Sequence, residues 1–193
     1  MKKSIVLILF TVLSFSSCKK IIESASSVGK DNINVEDLKA VHVNNEYSLS
    51  VPDYMTELKS LHDEASFEYA NIFKETYTVV LDESKQEFID TFKEIEMYND
   101  SISALDNYTN IQLQSFQENI TDLKVKPLDN KIKNLDSKQY EFHGKVDDLE
   151  IAYLIGFIEG KDKMFMIMSW TMDNRYNKYK DTFKLIQGSF KFL

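Results

Sequence analysis

One cysteine in 193 residues rules out a disulfide scaffold. Two prolines and five glycines are too few for a collagen-like or linker-dominated chain. Basic residues are outnumbered, 23 against 31 acids, so the chain has a net charge of −8 and would repel a phosphate backbone before gaining from counterion release. Nucleic acid is therefore excluded as a general partner. Catalytic signatures are missing too: no G-x-S-x-G elbow, P-loop, Rossmann glycine fingerprint or H-E-x-x-H pair occurs. His42, His62 and His143 lie far apart in sequence, so no local spacing supplies two metal ligands, and no cofactor is implied. What the chain does contain is 43% hydrophobic and 28% charged residues, which suits one ordinary globular domain plus a short additional piece.

Lys2 and Lys3 precede an apolar run from Ile5 to Phe15, which ends in Ser16, Ser17 and Cys18. That order of charged, apolar and small residues is the order of a secretory signal, and the run falls short of the roughly 20 residues a spanning helix needs. Because the single cysteine directly follows the small residues, the segment resembles a bacterial lipoprotein signal in which Cys18 becomes the lipid-modified first residue. Phe15 stands where the usual motif has leucine, a looseness that resembles lipoproteins of the Bacteroidota. A free thiol in an uncleaved anchor is the alternative, and the short run argues against it. Several acyl chains would hold the protein to a membrane stably, and would remove Cys18 from the candidate nucleophiles and metal ligands.

Lys19 and Lys20 follow Cys18 with no acidic cluster, which favours the periplasmic side of the outer membrane, with the inner membrane as the other option. Residues 1–17 thus read as the signal, and residues 18–45 as the lipidated cysteine and a flexible tether rich in Ser, Asn and balanced charge. Residues 46–193 read as the domain. They carry 27 acids and 17 lysines and arginines, so the acidity lies in the folded part.

Within the domain, Tyr47-Ser48-Leu49-Ser50-Val51 alternates at period two and stops at Pro52-Asp53, which predicts a first strand. Residues 67–73 and 76–81 alternate and are rich in aromatic and β-branched side chains, predicting a hairpin around Lys74-Glu75. Phe88, Phe92 and Ile95 then fall on one helical face behind a cap at Ser84 or a neighbouring acid, and Ser101 is the expected cap of a second helix. Strands are predicted at 128–135, 139–146, 150–158 and 163–170. The last two are apolar on both faces, so they must form a hairpin in the centre of a sheet covered on both sides. A final helix over 174–187 precedes an apolar tail. Helices on both sides of this pairing predict an α+β chain, an α/β/α sandwich on a mainly antiparallel twisted sheet.

The order and end-motifs resemble the PsbP-like superfamily, which groups Ran-binding Mog proteins, the photosystem II protein PsbP, and bacterial lipoproteins and chaperones of the DcrB, LpqN and Eag type. The residues carrying the resemblance are Tyr47 to Pro52, the hairpin 67–81 running into a helix, Met168-Ser169-Trp170-Thr171, and Phe183, Ile186 and Ser189-Phe190. These are packing positions. The resemblance implies a fold and a non-catalytic role in binding proteins or hydrophobic segments.

Four features are candidates for function. Met164, Met166 and Met168 share one face of a central strand, opposite Phe165 and Ile167, and could line an adaptable groove for a hydrophobic peptide or simply fill the core. Lys124, Lys126, Lys131 and Lys133 form a basic cluster, with Lys131 and Lys133 flanking Ile132, suited to an acidic partner, to headgroups or to edge protection. Asp82-Glu83 and Asp147-Asp148-Glu150 are paired turn acids that could bind calcium or act in acid–base chemistry, although neither forms a calcium ligand ladder. Asp100-Ser101-Ile102 resembles a short O-glycosylation signal at Ser101. The reading is a lipid-anchored envelope protein, held to the membrane through Cys18, that engages another protein without catalysis. A carrier of hydrophobic segments and, more remotely, a metal-dependent hydrolase are its alternatives.

Overall fold

The computed structural model describes residues 29–59, 61–129 and 131–193, so Cys18 and the signal lie outside the described residues. The first paired strands are β1 (Leu38–Val43) and β2 (Tyr47–Pro52), joined through Asn44 and Asn45, both with positive φ (48° and 55°) as a tight turn requires. This corrects the tether boundary, because residues 38–43 were expected to be flexible. Val41 and Val43 alternate with Ala40 and His42, and Val43 is buried in the core beside Leu49 and Val51.

The short β3 (Thr56–Glu57) and then β4 (Ala65–Asn71) and β5 (Thr76–Ser84) follow; the turn takes in the expected Lys74-Glu75 but begins at Ile72, since β4 stops two residues before the expected end of the strand at Phe73. Ser84 accepts the Glu87 amide (3.3 Å) and caps α1 (Lys85–Glu94) as expected. The second helix departs from expectation. Asn99, Asp100 and Ser101 form a turn, and Asn107 from inside the helix donates to the Asn99 carbonyl (2.9 Å), so the cap of α2 (Ala104–Asn119) is Ser103 instead of Ser101.

β6 (Thr121–Leu128) begins seven residues earlier than the predicted strand. Residues 131–136 are a loop, because Lys133 has a left-handed φ of 52° and the Ile132 amide donates to the Ser137 hydroxyl (2.8 Å), turning the chain back. β7 (Ser137–Val146), β8 (Leu149–Glu159), β9 (Lys163–Met172), α3 (Tyr176–Gly188) and β10 (Lys191–Phe192) complete the chain.

The large sheet has the order β3-β4-β5-β9-β8-β7-β6 and every pairing in it is antiparallel. Its centre is the β8–β9 hairpin, as the two-sided apolar runs require. α1 and α2 cover the face carrying Met164, Met166, Met168 and Phe157. α3 covers the opposite face with Phe165 and Ile167, together with a small sheet in the order β1-β2-β10. Gly156 of β8 is needed where α3 comes closest, since a Cβ there would lie 2.8 Å from both the Gln187 side-chain oxygen and Ile132 Cδ1.

Burial beneath α2 pushes the carboxyl of Glu83 up from the ordinary 4.5 to about 7; the Tyr108 hydroxyl bonded to it pulls the other way, and the charges of Glu64 and Glu87 add to the rise. Between pH 4.5 and 7 the folded chain holds this proton and the unfolded chain does not. Stability contributed by Glu83 is therefore full below 4.5 and falls as pH rises through that window, by up to ~1.4 kcal/mol per pH unit. Glu83→Gln is expected to gain about 2 kcal/mol over the parent at pH 8 and nothing at pH 4. Urea unfolding of both proteins across this range checks it, and parallel pH profiles would refute it.

Candidate functional site

Two concavities lie at opposite edges of the large sheet. The first, about 560 Å³, runs between β1 and β4. Its exposed lining is mostly polar, with His42, Glu57, Lys59 and His62 on the rim; Val41 and Tyr69 are half-buried in its walls, and Val43 and Phe67 lie buried behind them. Its shape is held by polar bonds from below and beside. The Glu68 carboxylate, buried at the groove, accepts the amides of His62 (2.6 Å) and Leu61 (3.3 Å), and so pins the loop that forms one bank. The Tyr47 hydroxyl bonds the Ser66 hydroxyl (2.8 Å), locking the small sheet onto β4, and burial drives the phenol's pKa upward. β1 is the outer strand of the small sheet, so among the described residues its other edge has no strand beside it.

The second concavity, about 500 Å³, lies against β6 and β7. His143 Nδ1 meets Asp173 Oδ1 at 2.5 Å and its ring stands edge-on to Tyr176, while Lys145 bonds Asp122 (2.9 Å) and holds that carboxyl below its usual range. Asp122 and Lys145 thus form an ion pair, and His143 is hydrogen-bonded to Asp173. Asp147, Asp148 and Glu150 lie at the exposed β7–β8 turn, and Asp82 is tied to Lys163, which also reaches Glu46 (both 2.8 Å). Among the described residues, no group of three or more His, Cys, Asp or Glu converges to hold a metal ion.

The structure scatters the residues singled out by sequence. Met164 and Met166 are fully buried and Met168 nearly so, beneath α1 and α2, so the open methionine groove is corrected to core. Lys131 and Lys133 are exposed, but on a loop and not flanking Ile132 on a strand; Ile132 is buried as a plug near Gly156. Lys124 and Lys126 are exposed on β6, the outermost strand, where lysines and Pro127 discourage further pairing. Ser101 is exposed in the turn before α2, its amide donating to the Asn99 side chain (2.9 Å). The β1–β4 groove is not visible in the sequence, because one of its walls comes from residues whose composition is that of a tether. The signal that could have found it is the alternation Val41-His42-Val43 before Asn44-Asn45.

This layering, with an antiparallel seven-stranded sheet between two helices on one face and one helix with a small sheet on the other, is the PsbP-like fold. The solution structure of cyanobacterial PsbP (CyanoP) from Synechocystis sp. PCC 6803 is similar with a TM-score of 0.54 and 11% identity, over 86% of this chain and 98% of that one. The crystal structure of the Ran-binding protein Mog1p of Saccharomyces cerevisiae gives 0.53 and 11%, over 80% and 94%. A crystal structure from Bacteroides thetaiotaomicron VPI-5482 gives 0.51 and 8%, over 81% of this chain and 49% of that one. No family model matches the chain, and no curated protein matches it. Among the described residues, no helix is long and apolar enough to cross a membrane.

Proposed function

We propose that the protein is a lipid-anchored component of the cell envelope, held through Cys18 on the periplasmic side of the outer membrane, and that its domain is a non-catalytic binding module for another protein. The observation that carries this reading is the groove between β1 and β4, a mainly polar trough with the half-buried Val41 and Tyr69 in its walls, beside a strand edge that among the described residues is open for pairing. An extended segment of a partner fits such a trough. Its backbone would extend the small sheet along β1, and its side chains would meet the half-buried Val41 and Tyr69 and the polar groups beside them. The shared fold with Mog1p, a Ran-binding protein, supports a role in protein binding.

The test is site-specific photocrosslinking in the native envelope, with the crosslinker at His42 in the groove or at Lys161 in the β8–β9 turn. A discrete protein adduct is expected from position 42 and not from 161, and the Cys18→Ser chain is expected to leave the membrane fraction. Equal adducts from both positions would overturn the groove; a Cys18→Ser chain retained in the membrane like the parent would overturn the anchor.

A further inference from the structure

The turn between β4 and β5 holds two strongly exposed apolar side chains that are neighbours in the chain. Ile72 is 60% exposed and Phe73 is 86% exposed, side by side at the tip. Single exposed apolar residues need no explanation, but these two sit on a backbone that is firmly held. The Asn71 carboxamide oxygen accepts the amides of Phe73 (3.1 Å) and Lys74 (2.9 Å), and its nitrogen donates to the Tyr54 carbonyl (2.8 Å). Arg175 from the start of α3 reaches the Lys74 carbonyl (3.3 Å) and the Glu75 carboxylate (3.2 Å). The Lys74 ammonium lies 4.2 Å from the centre of the Tyr54 ring. The polar part of the turn faces the domain, and its apolar pair faces outward.

The N-terminal chain joins the domain at this same corner. Asp31 accepts from the Tyr54 hydroxyl (2.6 Å), the Thr182 hydroxyl (2.9 Å) and Lys74 (3.4 Å), and its amide donates to the Lys178 carbonyl (3.0 Å). Its side chain is only 8% exposed, so the clamp is buried between the turn, the segment after β2 and α3. Lys74, the residue clamped, directly follows Phe73. Thirteen residue steps separate Cys18 from Asp31, a reach of at most ~45 Å even fully extended.

We infer that Ile72 and Phe73 form a second membrane contact, inserting into the leaflet that carries the lipid on Cys18 and so fixing the orientation of the domain on the bilayer. The inference rests on the lipid-anchor reading above. Given that anchor, the clamp at Asp31 turns the corner with the apolar tip towards the surface to which the chain is tethered. A rigid pair of apolar side chains there gains from lipid what it cannot gain from water, and tethering makes the second contact intramolecular. The β8–β9 turn at Lys161 lies at the opposite end of the strands, as the antiparallel register of β5 and β9 requires, and would point away from the membrane.

The experiment uses the full chain, purified from membranes and reconstituted into vesicles of phosphatidylethanolamine and phosphatidylglycerol. Intact mass first reads whether Cys18 carries lipid. An environment-sensitive fluorophore is then placed by Phe73→Cys or, as control, by Lys161→Cys, both exposed positions. The label at 73 is expected to shift to the blue and to be quenched by nitroxide lipids reporting depths of about 5–10 Å; the label at 161 is expected to do neither. An unlipidated Cys18 removes the anchor reading, and the tip contact with it. A lipidated Cys18 with the label at 73 as wet and unquenched as the one at 161 overturns the tip contact alone, and points to a protein partner for the tip.

Discussion

Met166→Asp is expected to prevent folding. The Met166 side chain is fully buried between its cross-strand neighbours Leu81 and Phe157, under α1 and α2. A carboxylate there has no cationic partner and must either ionise in an apolar layer or take up a proton at a cost, a loss of about 4–5 kcal/mol or more. That is a large part of the total stability of a domain this size, about 5–15 kcal/mol. Met166→Leu conserves volume and apolarity and is expected to cost less than about 1.5 kcal/mol. Circular dichroism and urea titration of both variants separate the outcomes. A folded Met166→Asp protein with a normal melting curve would mean that α1 and α2 do not seal this face, and would restore the methionine groove as a binding site.

The second large effect is expected at Gln187, near the end of α3. It is wholly buried, and its amide nitrogen donates to the carbonyls of Leu154 (2.8 Å) and Ile167 (3.3 Å), while its oxygen accepts from Gln139 (2.8 Å). One side chain thus ties α3 to β7, β8 and β9, and Gly156 is without a Cβ so that it can approach. Gln187→Ala leaves the buried Gln139 amide unpaired and opens a cavity, a combined cost of about 2–4 kcal/mol. Gln187→Glu keeps the shape and replaces a donor by an acceptor facing two carbonyl oxygens, and should be as damaging at neutral pH. Chemical denaturation measures both. Losses below about 1 kcal/mol would show that water takes over these bonds, and that α3 is held by its buried apolar face of Tyr176, Tyr179, Phe183 and Ile186.

Much of the architecture is legible in the sequence. The two-sided apolar runs at 150–158 and 163–170 could only be covered strands, and they are the centre of the sheet. Ser84, one of the expected caps, caps α1, the β4–β5 turn takes in the expected Lys74-Glu75, and the helix expected over 174–187 is α3. The errors share a cause. Ser101 and Ser103 are both able to cap, and the choice between them was made by Asn107, eight residues beyond the Asn99 carbonyl it holds. Residues 128–135 have strand composition, yet Ile132 is drawn into the core as a plug, which forces Lys133 into a left-handed turn. β1 is short and flanked by polar residues, and becomes a strand because β2 offers it a register and the core offers Val43 a place.

The candidate sites were legible to a smaller extent. Periodicity told which residues share a face, and this held for Met164, Met166 and Met168; it could not tell what lies over that face. Nor could it bring β1 beside β4, or place Asp31 next to the tip that carries Phe73. The sequence by itself determined the periods, caps and two-sided apolar strands of this protein, because hydrogen-bonding geometry and side-chain alternation act within a few residues of one another. Which faces are sealed, where a groove opens and which apolar pair is left in water were decided only in the tertiary structure, since each depends on packing between segments 20 to 150 residues apart, as the Asp31 to Thr182 bond across 151 residues shows.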